Sequence, residues 1–218
     1  MQNKKKILKK KFAHFIFDID GVILNSKNNM KFSWIATNDK FDLKKSFSKY
    51  FENIGLPFNE ILKKIGIKKN HKKIENEYKK NSLKFSNKIK IYKKIKDFFL
   101  FMRKKKINFY VVTSKDYERT KKFLHHYKIF PKSIHSPSKK YKGKPKPDLL
   151  NHCIKINKIK KDKCCYVGDT EFDYIAAKSA KIDFIFANYG YGRVKSKYNL
   201  VIDSPKELFK YLEYNSNQ

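Results

Sequence analysis

Short apolar runs rich in β-branched and aromatic residues alternate along the chain with longer segments whose apolar residues recur at helical spacing. Such runs are typical of buried strands, whereas the longer segments predict amphipathic helices. Strands are predicted at residues 13–17, 109–113, 164–168, 184–187 and 200–202, with a weaker candidate at 133–135. The alternation predicts an α/β protein with a parallel sheet that carries helices on both faces.

One long region interrupts this alternation, because residues 27–94 contain no clear strand pattern. Apolar residues fall at helical spacing in two of its stretches, which contain Phe47, Tyr50, Phe51 and Ile54 and then Ile61, Leu62 and Ile65. We interpret the region as a small helical cap inserted into a core formed by residues 1–26 and 95–218. A solvated helical arm without function is the alternative. We favour a lid, because the insertion follows the first strand, whose carboxyl end is where such sheets bind ligands.

The composition is strongly basic, with 53 Lys and Arg against 20 Asp and Glu and a formal net charge of +33. Only Arg103, Arg119 and Arg193 are arginines, and the lysines are spread over the whole chain. Asn, Ile, Phe and Tyr are also abundant, which is the skew that an AT-rich genome produces. Nucleic-acid binders tend instead to cluster their charge and to use arginine. The composition therefore favours codon-driven drift over nucleic-acid binding.

Cysteine usage and hydropathy bear on the cellular setting. The three cysteines form no C-x-x-C pattern, and Cys164 and Cys165 lie in an apolar run, which favours a reducing, cytoplasmic environment. No apolar stretch approaches the ~18 residues of a membrane span, so no membrane partner is expected.

Candidate chemistry begins where the first predicted strand ends in Asp18 and Asp20, followed by Gly21. Two carboxylates so close together repel each other unless a cation or a shared proton lies between them. The pair therefore predicts a metal site or an acid/base pair. The alternative is two surface acids at the end of a strand, which is less favoured because acids are scarce in this chain.

Three further segments combine polar residues with predicted strand or helix ends. Thr113 and Ser114 follow the second main strand, where a hydroxyl can also simply cap a helix. Lys144 precedes the first proline of a Lys-Pro-x-Pro-Asp segment that predicts a helix start. Another strand ends in Gly-Asp-Thr-x-x-Asp, in which Thr170 and Asp173 also fit a capping box.

These four segments, in this order, resemble the four motifs of the haloacid dehalogenase-like phosphohydrolases, which have a Rossmann-like core. The helical insertion resembles the small cap of the phosphoglycolate phosphatase-like and β-phosphoglucomutase-like branch. The resemblance implies that Asp18 is the nucleophile and Asp20 the general acid/base. It implies that Thr113 or Ser114, with Lys144, binds the phosphoryl group, and that Lys144 also takes part in catalysis.

The resemblance also implies a Mg²⁺ site formed by Asp18, the backbone carbonyl of Asp20, and Asp169. Asp173, Thr170 and Gly21 would support this site.

The function implied is a Mg²⁺-dependent phosphatase that hydrolyses a small phosphate monoester through an aspartyl-phosphate. The substrate would be a small phosphorylated metabolite, phosphoglycolate-like or a sugar phosphate. A sugar phosphomutase of the β-phosphoglucomutase type shares the same motifs and cap, and it remains an alternative. A non-enzymatic alternative is a polyanion-binding protein on the same scaffold, with the basic charge as its function.

Overall fold

A central parallel sheet organises the molecule, as seen in a computed structural model that describes residues 11–198 and 200–213. Six strands form the sheet: β1 His14–Phe17, β4 Phe109–Val112, β5 Ser133–His135, β6 Cys164–Gly168, β7 Asp183–Ala187 and β8 Leu200–Ile202. Their order is β5-β4-β1-β6-β7-β8, and every neighbouring pair is parallel. The predicted α/β class with a parallel sheet is therefore confirmed.

Helices cover the sheet and form the insertion. They are α1 Lys27–Lys40, α2 Phe47–Phe51, α3 Phe58–Lys64, α4 His71–Lys84, α5 Ile95–Lys104, α6 Tyr117–His126, α7 Asp148–Ile156 and α8 Glu171–Ala180. Short 3₁₀ turns lie at Ser86–Lys88, Lys161–Lys163 and Pro205–Tyr211. No helix within the ranges that the structure describes is long and apolar enough to cross a membrane.

Strand β1 is buried on both faces because helices pack on each side of the sheet. Phe15 and Phe17 join an aromatic core with Phe98 and Phe99 of α5, where Phe17 and Phe99 meet edge to face with ring centroids 5.2 Å apart. Ile16 belongs to the opposite core, which contains residues of α7 and α8. This two-sided burial explains why β1 is a continuous apolar run rather than an alternating one.

Two strands of two residues each flank the insertion. β2 Leu24–Asn25 pairs antiparallel with β3 Lys90–Ile91, and α1 to α4 lie between them in the sequence. The strand at Lys90–Ile91 lies in the region where the sequence shows no clear strand pattern. The sequence does not predict it, because two residues are too few to produce a periodic pattern.

The four helices of the insertion share their own apolar core. In it the Trp34 ring stacks on Tyr50, with the ring centroids 4.5 Å apart. The division of the chain at residues 27 and 94 stays a prediction.

Candidate active site

Asp18 lies at the carboxyl end of β1 and is almost completely buried, with 3% of its surface exposed. Its backbone N–H donates to the Val167 carbonyl at 2.9 Å, so the β1–β6 ladder holds the start of the loop. Gly21 follows in that loop with φ +86°. A Cβ atom there would lie 2.0 Å from Oδ2 of Asp169, so only glycine lets the two loops approach so closely.

Lys144 lies in the loop before α7 and reaches between two acids. Its Nζ is 2.9 Å from Oδ1 of Asp18 and 2.6 Å from Oδ1 of Asp173, and its side chain is 1% exposed. Burial by itself would lower the pKa of Lys144, but the carboxylates of Asp173 and Asp18 reverse that effect and the net shift is upward. Lys144 is therefore a fixed positive charge beside the predicted nucleophile.

Both carboxylate oxygens of Asp173 accept hydrogen bonds, and these contacts connect the start of α8 with the active site. Its Oδ2 accepts from the Thr170 backbone N–H at 3.0 Å and from the Thr170 hydroxyl at 2.6 Å, which completes a capping box at the start of α8. Its Oδ1 faces Lys144 and lies 3.0 Å from the Tyr166 hydroxyl. The capping-box interpretation and the active-site interpretation of this segment are thus compatible.

Asp169 follows β6 and has an unused oxygen. Its Oδ2 accepts from the backbone N–H groups of Tyr191 at 3.1 Å and Gly192 at 2.8 Å. Its Oδ1 is buried and has no hydrogen-bond partner among the described residues. Buried polar atoms are rarely left unsatisfied, so this oxygen indicates a group that the chain itself does not supply.

Carboxylates outnumber the ammonium group in this cluster. Asp18, Asp169 and Asp173 each place an oxygen within 4.8 Å of the others, and Lys144 is the cation that contacts two of them. Burial, opposed by Lys144, raises the pKa of Asp18 to about 7, and burial followed by repulsion from Asp173 and Asp18 raises that of Asp169. A cation would favour the ionised forms. Hard oxygen donors, among them the Oδ1 of Asp169 that has neither a hydrogen bond nor an ion pair among the described residues, fit Mg²⁺.

Asp20 stands apart from this cluster and is held by other groups. Its Oδ1 accepts from the Ser26 hydroxyl at 2.5 Å, and its Oδ2 pairs with Nζ of Lys115 at 2.9 Å. The Ser26 hydroxyl also lies 2.8 Å from the Tyr191 hydroxyl. The side chain of Asp20 is 16% exposed, so it is more accessible than Asp18. The two acids of the first motif therefore have different surroundings.

The two hydroxyls after β4 also have different surroundings. Thr113 is buried, and its Oγ1 accepts from the Lys115 backbone N–H at 3.2 Å. The Ser114 hydroxyl donates to the carbonyl of Gly55, between α2 and α3, at 2.6 Å. Ser114 therefore joins the core to the insertion, while the hydroxyl of Thr113 donates no hydrogen bond to any residue that the structure describes.

A cavity of about 60 Å³ lies between the core and the helical insertion. Asp18, Asp20, Thr113, Ser114 and Lys144 line it from the core, and residues of the insertion that include Tyr50, Leu56 and Tyr78 line it from the other side. The structure thus brings all four predicted segments to one place, because they follow parallel strands or enter a helix at one edge of the sheet.

The sequence pattern of the haloacid dehalogenase-like hydrolases matches residues 15–187, which span the first strand, the insertion and the last motif. The chain belongs to this family. The resemblance of the four motifs is thereby confirmed, as is the expectation of a hydrolytic enzyme. No curated protein sequence matches this hydrolase.

Solved structures share the fold of this hydrolase at low sequence identity. A hydrolase from Pseudomonas syringae is 19% identical with a TM-score of 0.81, over 91% of this chain and 96% of that one. A predicted phosphatase from Clostridium acetobutylicum is 22% identical with a TM-score of 0.79, over 92% and 98%. A predicted phosphoglycolate phosphatase from Haemophilus somnus 129PT is 17% identical with a TM-score of 0.77, over 94% and 98%.

Sequence reasoning missed three side chains of the hydrolase's site, namely Ser26, Lys115 and Arg119. Lys115 could not be distinguished from the many other lysines of the chain. Ser26 contacts Asp20 only because the loop after β1 turns back, which the sequence pattern does not indicate. Arg119 had a usable signal, since arginine is rare in this sequence. It lines the cavity and is almost completely buried.

Proposed function

We propose that this hydrolase is a Mg²⁺-dependent phosphatase that cleaves a small phosphate monoester through an aspartyl-phosphate on Asp18. One observation carries the proposal: the buried carboxylate of Asp18 faces a fixed ammonium at 2.9 Å and belongs to a cluster with Asp169, which has a buried oxygen without a hydrogen-bond partner among the described residues. A phosphoryl group brings negative charge into such a place, so both the ammonium and a metal ion would be needed to accept it.

In the first half-reaction, a carboxylate oxygen of Asp18 forms a bond to phosphorus as the bond to the ester oxygen breaks. Protonated Asp20 gives its proton to the departing oxygen. In the second half-reaction, Asp20 takes a proton from water, and that water attacks phosphorus and releases Asp18 and inorganic phosphate. The hydroxyl of Ser26 and the ammonium of Lys115 hold the two oxygens of Asp20 for this work.

Asp18, Asp169 and the backbone carbonyl of Asp20 would hold the Mg²⁺ ion. When bound, the ion would offset the charge of the carboxylates and polarise the phosphoryl group. Asp173 would act indirectly, because its oxygens are already taken by Lys144, Thr170 and Tyr166.

Thr113 is the better of the two candidates for holding a phosphoryl oxygen. The Ser114 hydroxyl donates to Gly55, whereas the Thr113 hydroxyl, within the described part of the chain, only accepts a hydrogen bond. Lys144 would contact the phosphoryl group from the side of Asp173. Gly21 keeps the first loop against Asp169.

The substrate would be a small phosphorylated metabolite, phosphoglycolate-like or a sugar phosphate, because residues of the insertion line the cavity that contains Asp18. The names of the Clostridium and Haemophilus structures support a phosphatase of this kind. The cysteines are buried and form no disulfide among the described residues, which supports the proposed cytoplasmic setting.

Substitution of the nucleophile tests the proposal. Asp18→Asn should abolish phosphate release from a panel of phosphate esters in Mg²⁺ while the variant stays folded by circular dichroism. Asp97→Asn, an exposed acid on α5, is the matched control and should behave as wild type. Near-wild-type turnover by Asp18→Asn would exclude the covalent mechanism.

The same preparation separates the two alternatives. Isomerisation of glucose 1-phosphate without net phosphate release would identify a phosphomutase. RNA binding that survives at about 0.2 M salt, with no turnover of any ester, would instead support the polyanion-binding alternative.

A further inference from the structure

Arg119 is a buried cation whose hydrogen-bonding capacity is only partly used. It lies in the first turn of α6, and its Nε donates to Oδ2 of Asp116 at 2.5 Å. Its side chain is 8% exposed, and its Nη1 is buried without a hydrogen-bond partner in the part of the chain that the structure describes. Buried donors normally have a partner in the protein, an ordered water or a ligand, so this nitrogen can bind a further acceptor.

The same guanidinium lines the cavity that contains Asp18 and Asp20. From the insertion, the ring of Tyr78 approaches it, with the guanidinium carbon 5.5 Å from the ring centroid. The hydroxyl of Tyr78 accepts from the Tyr50 hydroxyl at 2.9 Å. Arg119 thus lies where the core and the insertion meet, in the lining of the cavity that contains the predicted nucleophile.

The other two cations that line the cavity are already paired. Lys144 contacts Asp18 and Asp173, and Lys115 contacts Asp20. Arg119 pairs with Asp116 through one edge of its guanidinium and keeps Nη1 for another acceptor. A flexible lysine could supply charge here, but a planar, forked donor suits a carboxylate or phosphate better. The use of arginine in a lysine-dominated chain agrees with that requirement.

We propose that Arg119 binds a second anionic group on the leaving portion of the substrate, which makes the enzyme selective for short phosphate esters with a charged leaving group. The inference rests on the proposed phosphatase function and narrows its substrate class. Arg119 lines the same cavity as Asp18, so the second anion must lie close to the phosphoryl group. A carboxylate and a second phosphate share this chemistry.

A pair of matched esters tests the inference. 2-Phosphoglycolate carries a carboxylate where 2-hydroxyethyl phosphate carries a neutral hydroxymethyl group, and pyrophosphate supplies the phosphate alternative. In Arg119→Met, the preference for the anionic ester, measured as a ratio of kcat/KM values, should fall about 10- to 100-fold, the range expected for a lost charge-assisted hydrogen bond. Arg119→Lys should recover part of it. Arg103→Met, an exposed arginine on α5, should keep the wild-type ratio.

Two further measurements keep the inference separable from folding and from the proposed function. If Arg119→Met proves unstable, the double variant Arg119→Met with Asp116→Asn can replace it, because it removes both charges of the pair. The double variant should lose the same preference for the anionic ester. Calorimetric binding of 2-phosphoglycolate and pyrophosphate to Asp18→Asn, with and without Arg119→Met, needs no turnover. An equal loss for neutral and anionic esters, or binding of both anions unchanged by Arg119→Met, would overturn the inference. Absence of turnover alongside Arg119-dependent binding would count against the phosphatase proposal alone.

Discussion

Removal of the Lys144 ammonium is the most informative single change to this site. Lys144→Met preserves most of the side-chain volume but leaves Asp18, Asp169 and Asp173 buried without the cation that contacts two of them. Loss of one partner from a buried ion pair typically costs about 3–5 kcal/mol, because the remaining charge stays desolvated. We therefore expect the free energy of unfolding to fall by about 3–5 kcal/mol near pH 8.5 without divalent metal.

The pH dependence gives this prediction a sign. In the native protein, burial raises the pKa of Asp18 to about 7 and Lys144 opposes that rise. Folding raises the pKa of this carboxyl, so the folded protein pays a cost when the carboxyl ionises. The free energy of unfolding therefore falls as pH rises from the pKa of the unfolded chain to the pKa of the folded protein. Without Lys144 the folded pKa is higher still. The difference in the free energy of unfolding between the wild type and Lys144→Met should therefore be larger near pH 8.5 than near pH 5.5.

Urea denaturation in EDTA at both pH values measures the effect, with Lys146→Met as the control. Lys146 is two residues away in the same loop but exposed, so its loss should change the free energy of unfolding by less than about 0.5 kcal/mol. A loss below about 1 kcal/mol for Lys144→Met near pH 8.5, or a deficit that grows towards low pH, would refute this account of the charge balance.

Two other perturbations follow from the packing. Gly21→Ala should lower kcat at least about 10²-fold, because its Cβ would displace Asp169. Gly66→Ala is the control and should keep the activity, because Gly66 has a similar positive φ and its added Cβ would meet only Nζ of Lys45, at 3.8 Å. Equal activity in both variants would show that the contact with Asp169 is unimportant. Burial, and then a neighbouring histidine, lowers the pKa of His135 to about 4, so its contribution to stability is complete above about pH 6.5 and is lost as pH falls towards 4. Between pH 7 and 5, the urea midpoint should fall more in the wild type than in His135→Gln, and parallel profiles would contradict this.

The sheet and its motif residues could be predicted from the sequence because their signals are local. The apolar run of β1 is continuous since both of its faces are buried, and the acids that follow it are conspicuous in a basic chain. Parallel strands bring their carboxyl ends to one edge, so Asp18, Thr113 and Asp169 converge without any knowledge of the helices.

The contacts between the core and the insertion could not be predicted in this way. The bond from Ser114 to Gly55 joins residues far apart in the sequence, and it depends on how the insertion rests on the core. The same is true of Arg119 and Tyr78. Lys115 could not be distinguished by type from the other lysines, and its pairing with Asp20 became visible only from the distance between them.

Chemical trapping of the intermediate tests the central claim most directly. In Asp20→Asn, an aryl phosphate with a good leaving group needs little acid assistance to phosphorylate Asp18, while hydrolysis of the intermediate loses its base, so the acyl phosphate should accumulate. Borohydride reduces an acyl phosphate to an alcohol, and peptide mass spectrometry should then find homoserine in place of Asp18. Release of the aryl alcohol with Asp18 unmodified, or with the reduced residue at Asp169 or Asp173, would contradict the assignment of Asp18 as nucleophile.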